Sequence, residues 1–409
     1  MHGTLGSPTL WLCALASCTP MFAVDDLLGP IQIHGFVSQG YLRTSDNNYL
    51  GDTKNGSAQF NELAVNFNTR LENDLQVGIQ FLARDLGNQG QDKPIIDWAC
   101  LDYRHYDWIG IRAGIIKTPI GFYNDSRDLD FARTFVLLPE GVYPEQFRDF
   151  LQSYTGAGIY GNVSIPHAGS VDYHVFAGDT TVDSDSSVAQ SFEAGAPAGD
   201  SLEVSNINFK YEYGGQVIWN TPLSGFRLGA TYSCFDFTMD LVNSFTVPTG
   251  APPPAPATTS LVVDATTDNK LWMKVGSAEY IWHDLTLAGE YMFADLNTST
   301  VGASTPETID SLHGYYLSAS YRLSPKVEVG GYWSTLRLNH HDQSVATNYL
   351  KDYVVCARYD FNRYWLLKLE GHYYQGNFTL LKQLNEDAQG NAQFAKDWWM
   401  FAAKTTVNF

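Results

Sequence analysis

The sequence predicts an all-β chain closed into an antiparallel transmembrane β-barrel of about sixteen strands. Three observations carry that prediction. From residue 31 onward, segments of period two recur, alternating apolar with polar side chains as a strand with two different faces requires. The connections between them alternate short and long, as in a barrel with tight turns at one end and loops at the other. The stretch DWWMFAAKTTVNF, residues 397–409, ends on an aromatic. Counted back in twos, Phe409, Val407, Thr405, Ala403, Phe401 and Trp399 are apolar or β-branched, set against Asn408, Thr406 and Lys404. A closing strand with one face toward lipid has that pattern.

Composition fits. Aromatics make up 14% of the 409 residues and there are 35 glycines, yet no apolar run reaches the roughly 18 residues of a membrane helix. A net charge of -19 argues against a nucleic-acid partner, which wants a basic surface. Residues 1–23 read as an export signal, with a short apolar core at Thr9 to Ala16 and a cleavage site at Met21-Phe22-Ala23. The leader lacks the usual Lys or Arg, and Leu15-Ala16-Ser17-Cys18 offers an alternative lipidation site at Cys18. Residues 24–409 then form one barrel. Cys100, Cys234 and Cys356 each fall in a strand pattern and read as small apolar fillers, not as a disulfide framework or a metal cluster.

The strands follow in order. The first, 31–43, leads through a polar loop to 58–70, where Leu63, Val65 and Phe67 oppose Glu62, Asn66 and Asn68. The turn at Asn73-Asp74 returns the chain along 75–85, where Val77, Ile79, Phe81 and Ala83 alternate with Gln76, Gly78, Gln80 and Arg84. Segments 95–104 and 108–117 are joined by a tight turn, and a long segment, 118–154, separates them from 155–164 and 170–178. Hairpins follow at 209–220 with 226–238, 271–282 with 285–294, 313–321 with 327–336 and 352–359 with 365–375, before the last strand at 397–409. Loops are expected at 179–204, 239–269 and 295–311; the second carries Ala251-Pro252-Pro253-Pro254-Ala255-Pro256, which cannot join a ladder. Trp108, Trp219, Phe226, Trp282, Trp365 and Phe409 gather beside the short turns, as one aromatic girdle would.

Three stretches carry a resemblance: Ile33-His34-Gly35-Phe36-Val37, Gly114-Ile115-Ile116-Lys117-Thr118-Pro119-Ile120-Gly121, and the terminal Phe409. On these the chain, from Ile31 to Phe409, resembles Gram-negative outer-membrane porins, most closely the phosphate-selective porin O/P family. The resemblance implies a water-filled barrel of the outer membrane, usually a homotrimer, whose third loop folds into the lumen as a constriction. The sequence departs from that family in showing no basic cluster of the kind a dedicated phosphate site needs.

The long third loop holds the candidate pore-lining residues. It contains the acids Asp125, Asp128, Asp130, Glu140, Glu145 and Asp149, the bases Arg127, Arg133 and Arg148, and the apolar run Phe135-Val136-Leu137-Leu138, which would gain nothing in water. Strand alternation puts Arg84 and Arg112 on the lumen face, with Lys117 where strand meets loop. Bases on the wall facing acids on the loop would set a transverse field that orients polar solutes. The same residues could equally form salt bridges that pin the loop to the wall. The three long loops hold twelve acids and no Lys or Arg, which would ring the outer mouth.

No phosphate-cradling glycine loop, zinc spacing or nucleophile elbow is present, and His340-His341 reads as a solvated loop pair. The expectation is a passive channel for small hydrophilic solutes or ions, with no catalytic residue, cofactor or metal. Its partners would be outer-membrane lipid and lipopolysaccharide. The alternative is a barrel enzyme, hydrolytic or lipid-modifying.

Overall fold

The computed structural model describes residues 30–194, 200–248, 258–302, 308–387 and 390–409. The export segment, Cys18 and the proline run lie outside the described residues. Sixteen antiparallel strands close into one barrel: β1 (Gln32–Thr44), β2 (Asn61–Glu72), β3 (Leu75–Asp85), β4 (Ile95–Tyr106), β5 (Ile109–Lys117), β6 (Ser153–Ile165), β7 (Gly169–Asp179), β8 (Ser201–Asn220), β9 (Phe226–Pro248), β10 (Thr258–Trp282), β11 (Leu285–Thr300), β12 (Thr308–Ser324), β13 (Val327–Leu338), β14 (Tyr349–Asn362), β15 (Trp365–Gly376) and β16 (Asp397–Asn408). Each strand pairs with its sequence neighbours, and β16 closes on β1 with Phe36 opposite Asn408 and Gly40 opposite Lys404. Closure leaves no edge with unpaired backbone groups, the condition for crossing hydrocarbon with strands.

Period two sorts the side chains. On β14, Val355 is 70% exposed while its inward neighbours Val354 and Cys356 are buried, and Asp352 is 1% exposed. The outward face carries apolar residues between two aromatic bands. Trp108, Trp219, Trp282, Trp365 and Phe409 form the band beside the short turns. Tyr41, Tyr291, Tyr353 and Trp399 belong to the other, where Trp333, Tyr353, Tyr373 and Trp399 lie opposite one another across β13 to β16. On β15 the two bands are set by Trp365 and Tyr373, a separation of about 20 Å for a strand tilted near 40°.

Strands β8 to β12 run further than their sequence patterns predict. Residues 201–204, 239–248 and 258–269 and much of 295–311, expected as loop, are paired strand. These extensions stand beyond the lipid belt, so an apolar outer face is not required, although Val204, Ile207 and Met239 are buried on the inner side with Val188 and Ala189 of L4. Hydroxyl and carboxylate pairs hold them instead: Ser244 and Ser260 are 2.9 Å apart, and Thr266 donates to Asp240 at 2.7 Å. Polarity made them look like loops, although their Thr and Val content suits a strand.

The long connections lie at the end opposite the tight turns. They are 45–60 (L1), 86–94 (L2), 118–152 (L3), 180–200 (L4), 339–348 (L7) and 377–396 (L8), with two more between β9 and β10 and between β11 and β12. L3 enters the barrel. Its Phe135, Val136, Leu137 and Leu138 are all buried, as are Val142, Phe150 and Leu151. L4 also folds inward: its helix α1 (Ser187–Glu193) buries Val188 and Ala189 in the cluster that contains Phe150 and Leu151. L8 does the same: its Leu381 is buried, and its Leu380 is packed with Leu137 and with Tyr49 of L1. The outer half of the lumen is thus filled by loops.

Candidate functional site

L3 leaves the wall at Lys117 and rejoins it at Ser153. Asn124 ties its two ends by donating to the carbonyls of Thr118 and Leu151 at 2.8 and 2.7 Å. Between them the loop crosses the lumen and is held by inward side chains of the far wall. Glu370 accepts the backbone N–H groups of Val136 and Leu137 at 2.7 and 3.2 Å. Lys368 donates to the carbonyl of Phe135 at 2.9 Å, and Arg358 to those of Phe131 and Arg133 at 3.0 and 3.1 Å. The Cys356 thiol donates to Thr134 O at 3.2 Å, so this cysteine does more than fill space. Ser334 accepts from Gly141 at 2.8 Å, and Glu290 accepts from Phe122 N–H at 2.8 Å and from the hydroxyls of Tyr316 and Tyr143. A loop with no ladder of its own has its backbone groups satisfied by the wall, as burial demands.

Most of the candidate residues fall into one network. Arg148 reaches Glu62 at 2.7 Å, Asp128, and Glu145 at 3.5 Å. Lys117 lies 2.5 Å from both Asp97 and Asp128. Arg127 meets Glu145 at 2.9 Å, and Arg133 meets Asp130 at 3.1 Å. Asp130 also receives Lys404 at 2.9 Å and Lys368 at 3.5 Å. Arg84 pairs with Asp149 and donates to Gln152 at 3.1 Å, and Arg112 pairs with Asp102 at 2.8 Å. Of the candidates, all except Asp125 and Glu140 are in an ion pair. Glu140 accepts a hydrogen bond from Tyr49, and Asp125 borders a cavity. Five pairs join loop to wall, Arg84–Asp149, Lys117–Asp128, Arg148–Glu62, Lys404–Asp130 and Lys368–Asp130, the pinning arrangement weighed from the sequence.

Burial and neighbours set the protonation of the loop acids. Burial pushes Asp125 up to about 6 and Glu140 up to about 8. Burial also works against Glu145, but Arg127 and Arg148 beside it prevail and hold it at about 2. Asp128 is likewise pulled below the usual carboxylate range by Lys117 and Arg148, against its burial.

Two cavities lie along the β3–β6 wall. The outer one, about 320 Å³, lies between L2, L4 and the end of L3, and is bordered by Arg84, Asp149 and Gln152. The inner one, about 350 Å³, is bordered by Arg112, Lys117 and Asp125. One hydrogen-bonded group links their borders: Gln152 on the outer cavity and Lys117 on the inner one both donate to Asp97. A third cavity, about 500 Å³, lies against the opposite wall under L3. It carries Arg133, Arg227, Arg322 and Arg358 with Glu279 and Glu328.

Sequence reasoning missed the wall half of this network: Glu62, Asp97, Glu290, Lys368, Glu370 and Lys404. The signal available was a charge at an inward register of a strand. In the β15 segment KLEGHYY, Lys368, Glu370 and His372 share the inward face. The loop partners of Lys368 and Glu370, Phe135 and Val136, lie 233 and 234 residues away, which periodicity does not reveal.

The closed sixteen-stranded barrel, its apolar belt between two aromatic bands and its inward third loop define an integral outer-membrane β-barrel of the porin fold. Solved structures bear this out at the level of fold. The chain matches the outer-membrane expressed OmpT of Vibrio cholerae with a TM-score of 0.54 at 11% identity, covering 93% of this chain and 97% of that one. It matches the anion-selective porin from Comamonas acidovorans at 0.53 and 10% identity, covering 93% and 99%. It matches the outer-membrane channel DcaP of Acinetobacter baumannii at 0.53 and 11% identity, covering 93% and 97%. The chain matches no family model and no curated protein sequence.

Proposed function

We propose that this protein is a passive diffusion channel for small hydrophilic solutes and ions, without catalysis and without a cofactor. The observation that carries the reading is the pair of charged cavities whose borders the Asp97–Lys117–Gln152 group links. Arg84, Lys117, Arg112 and Asp125 are strung along that one path, and the parting of Gln152 and Lys117 from Asp97 would join the cavities. A path so narrow passes ions and small polar solutes and excludes apolar or bulky ones.

Each base on this path has a carboxylate beside it, which supports weak charge selectivity over a dedicated phosphate site. Residues 1–23 serve as the removed export signal in this reading. A homotrimer is the proposed assembly; OmpT of Vibrio cholerae, at a TM-score of 0.50, has been solved in a trimer form. Against an enzyme stands the position of the best acid–base cluster. His372 lies 3.1 Å from Asp352 and 2.8 Å from Glu370, but all three are buried under L3, and Glu370 is already engaged by the loop backbone. They suit a docking anchor.

Detergent-purified protein in a planar bilayer tests the proposal. Stepwise, ohmic conductance is expected. A silent bilayer together with esterase or protease activity in the same preparation would overturn it.

A further inference from the structure

A cavity of about 460 Å³ opens on the outside of the barrel wall, bordered by Tyr315, Trp333, Arg337, Tyr349, Lys351 and Lys396. We propose that it binds the phosphate of a phosphorylated glycolipid in the outer leaflet.

Register fixes which side of the wall this is. Trp333 pairs with Leu317 on β12 and with Tyr353 on β14, and both are exposed to the lipid side. Thr335 and Arg337 follow Trp333 on the same face, and Lys351 lies opposite Thr335. The bases therefore stand one or two side-chain steps beyond the outer aromatic band, toward the loops, at about 7 Å per step. That is where headgroups begin, because Tyr and Trp mark the membrane–water boundary.

The bases are also unspent. Among the described residues, none of Arg337, Lys351 and Lys396 is in an ion pair, although Lys351 lies 5.5 Å above the Tyr349 ring. In a chain with a net charge of -19, three unpaired bases around one cavity form a local exception. Asp397, which follows Lys396 in the chain, already accepts from Tyr373 and Gln375 at 3.0 and 3.1 Å. A further donor is waiting: the indole N–H of Trp333 is buried without a hydrogen-bond partner. Arginine and indole donors with two ammonium groups suit phosphate oxygens, which need several charge-assisted donors.

The surroundings choose between a free anion and a lipid. Directly below the bases lie Tyr315, Trp333 and the exposed Leu317, which continue into the belt of acyl chains. An occupant with a phosphorylated sugar above and acyl chains below uses both halves, whereas inorganic phosphate uses only one.

Native mass spectrometry of the detergent-solubilised full chain, titrated with bisphosphoryl lipid A, tests this. The wild type is expected to retain the lipid. The triple variant Arg337→Gln, Lys351→Gln, Lys396→Gln should bind roughly a hundredfold more weakly, at about fivefold per base. A charge-matched control, Lys54→Gln, Lys326→Gln, Arg363→Gln, should bind like the wild type. Lipid A lacking phosphate should bind the wild type as weakly as the triple variant binds the phosphorylated form. Should the triple variant not assemble, Lys351→Gln alone carries the test at about fivefold. Equal binding by wild type and variant overturns the proposal. Displacement by inorganic phosphate at matched concentration makes it a free-anion site, and loss of subunit association in the variant makes it a subunit contact; either also overturns it.

Discussion

Lys404 on the closing strand lies 2.9 Å from Asp130 of the inward loop L3, and both side chains are almost wholly removed from water. The same ammonium group is 2.5 Å from Glu62 on β2. One lysine therefore joins the seam of the barrel, its second strand and its plug. Replacing it by methionine strands two carboxylates beside each other. Breaking a buried pair in this way costs about 3–5 kcal/mol. The lower end applies here, because Arg133 and Lys368 remain on Asp130 and Arg148 remains on Glu62. Lys404→Met should lower the temperature at which the folded barrel loses its compact migration on a gel, and adding Asp130→Asn should restore part of it. A single variant as heat-resistant as the wild type would remove Lys404 from the list of structural residues.

A pH dependence follows from Glu140. Its carboxyl takes a hydrogen bond from Tyr49, and burial, with Glu145 and Asp352 adding to it, pushes its pKa up to about 8. An unfolded Glu ionises near 4.3. A folded value above the unfolded one means that the contribution to stability is complete below about 4.3 and is lost as pH rises through 8. The L1–L3 contact is therefore weakest in alkaline solution. Single-channel current should become noisier between pH 7 and pH 9, reversibly, and Glu140→Gln should stay quiet over that range. If both proteins become noisy alike, another group titrates.

Phe409 is expected to act in assembly and not in conduction. It exchanges backbone hydrogen bonds with Gly35, 3.0 Å from its own N–H to Gly35 O and 3.1 Å in return. Its ring lies over Gly35 so closely that a Cβ there would come within 2.6 Å of it and within 2.5 Å of Ala64 O. Deleting Phe409, or replacing Gly35 by valine, should lower the amount of barrel in the outer membrane severalfold. The fraction that does insert should conduct normally. Normal membrane levels of both variants would contradict the role given to this contact.

What the sequence revealed and what it hid divide along one physical line. Period two is local, so the hairpin from Asn61 to Asp85 and the closing strand at Asp397 could be read directly. The apolar run from Phe135 to Leu138 signalled an inward loop because nothing apolar gains from water. Local periodicity says nothing of partners, so the anchors Lys368 and Glu370 stayed hidden, as did the turn of L4 into the lumen. Ser186 of L4 is only 8% exposed and caps α1 by accepting from Ala189. The extended parts of β8 to β12 were hidden for the opposite reason: outside lipid a strand needs no apolar face.

Selectivity tests the permeation path most directly. Acids of the long outer connections act in a wide mouth, where salt screens them over roughly 8 Å at physiological ionic strength. Charges in the narrow cavities act at closer range. There Arg84 is balanced by Asp149, and Arg112 by Asp102. The channel should therefore discriminate weakly at high salt and drift toward cations at low salt, as the field of the mouth extends. Neutralising Arg84 and Arg112 together leaves Asp149 and Asp102 unbalanced along the path, so the reversal potential should move further toward cations. Strong anion selectivity at all salts, with phosphate blocking chloride current, would contradict this and favour a phosphate site. Selectivity untouched by the double change would move the path to the opposite cavity, where Arg227 and Arg322 stand exposed to the solute and Arg358 borders the same space. Neutralising those residues would then produce the shift that Arg84 and Arg112 did not.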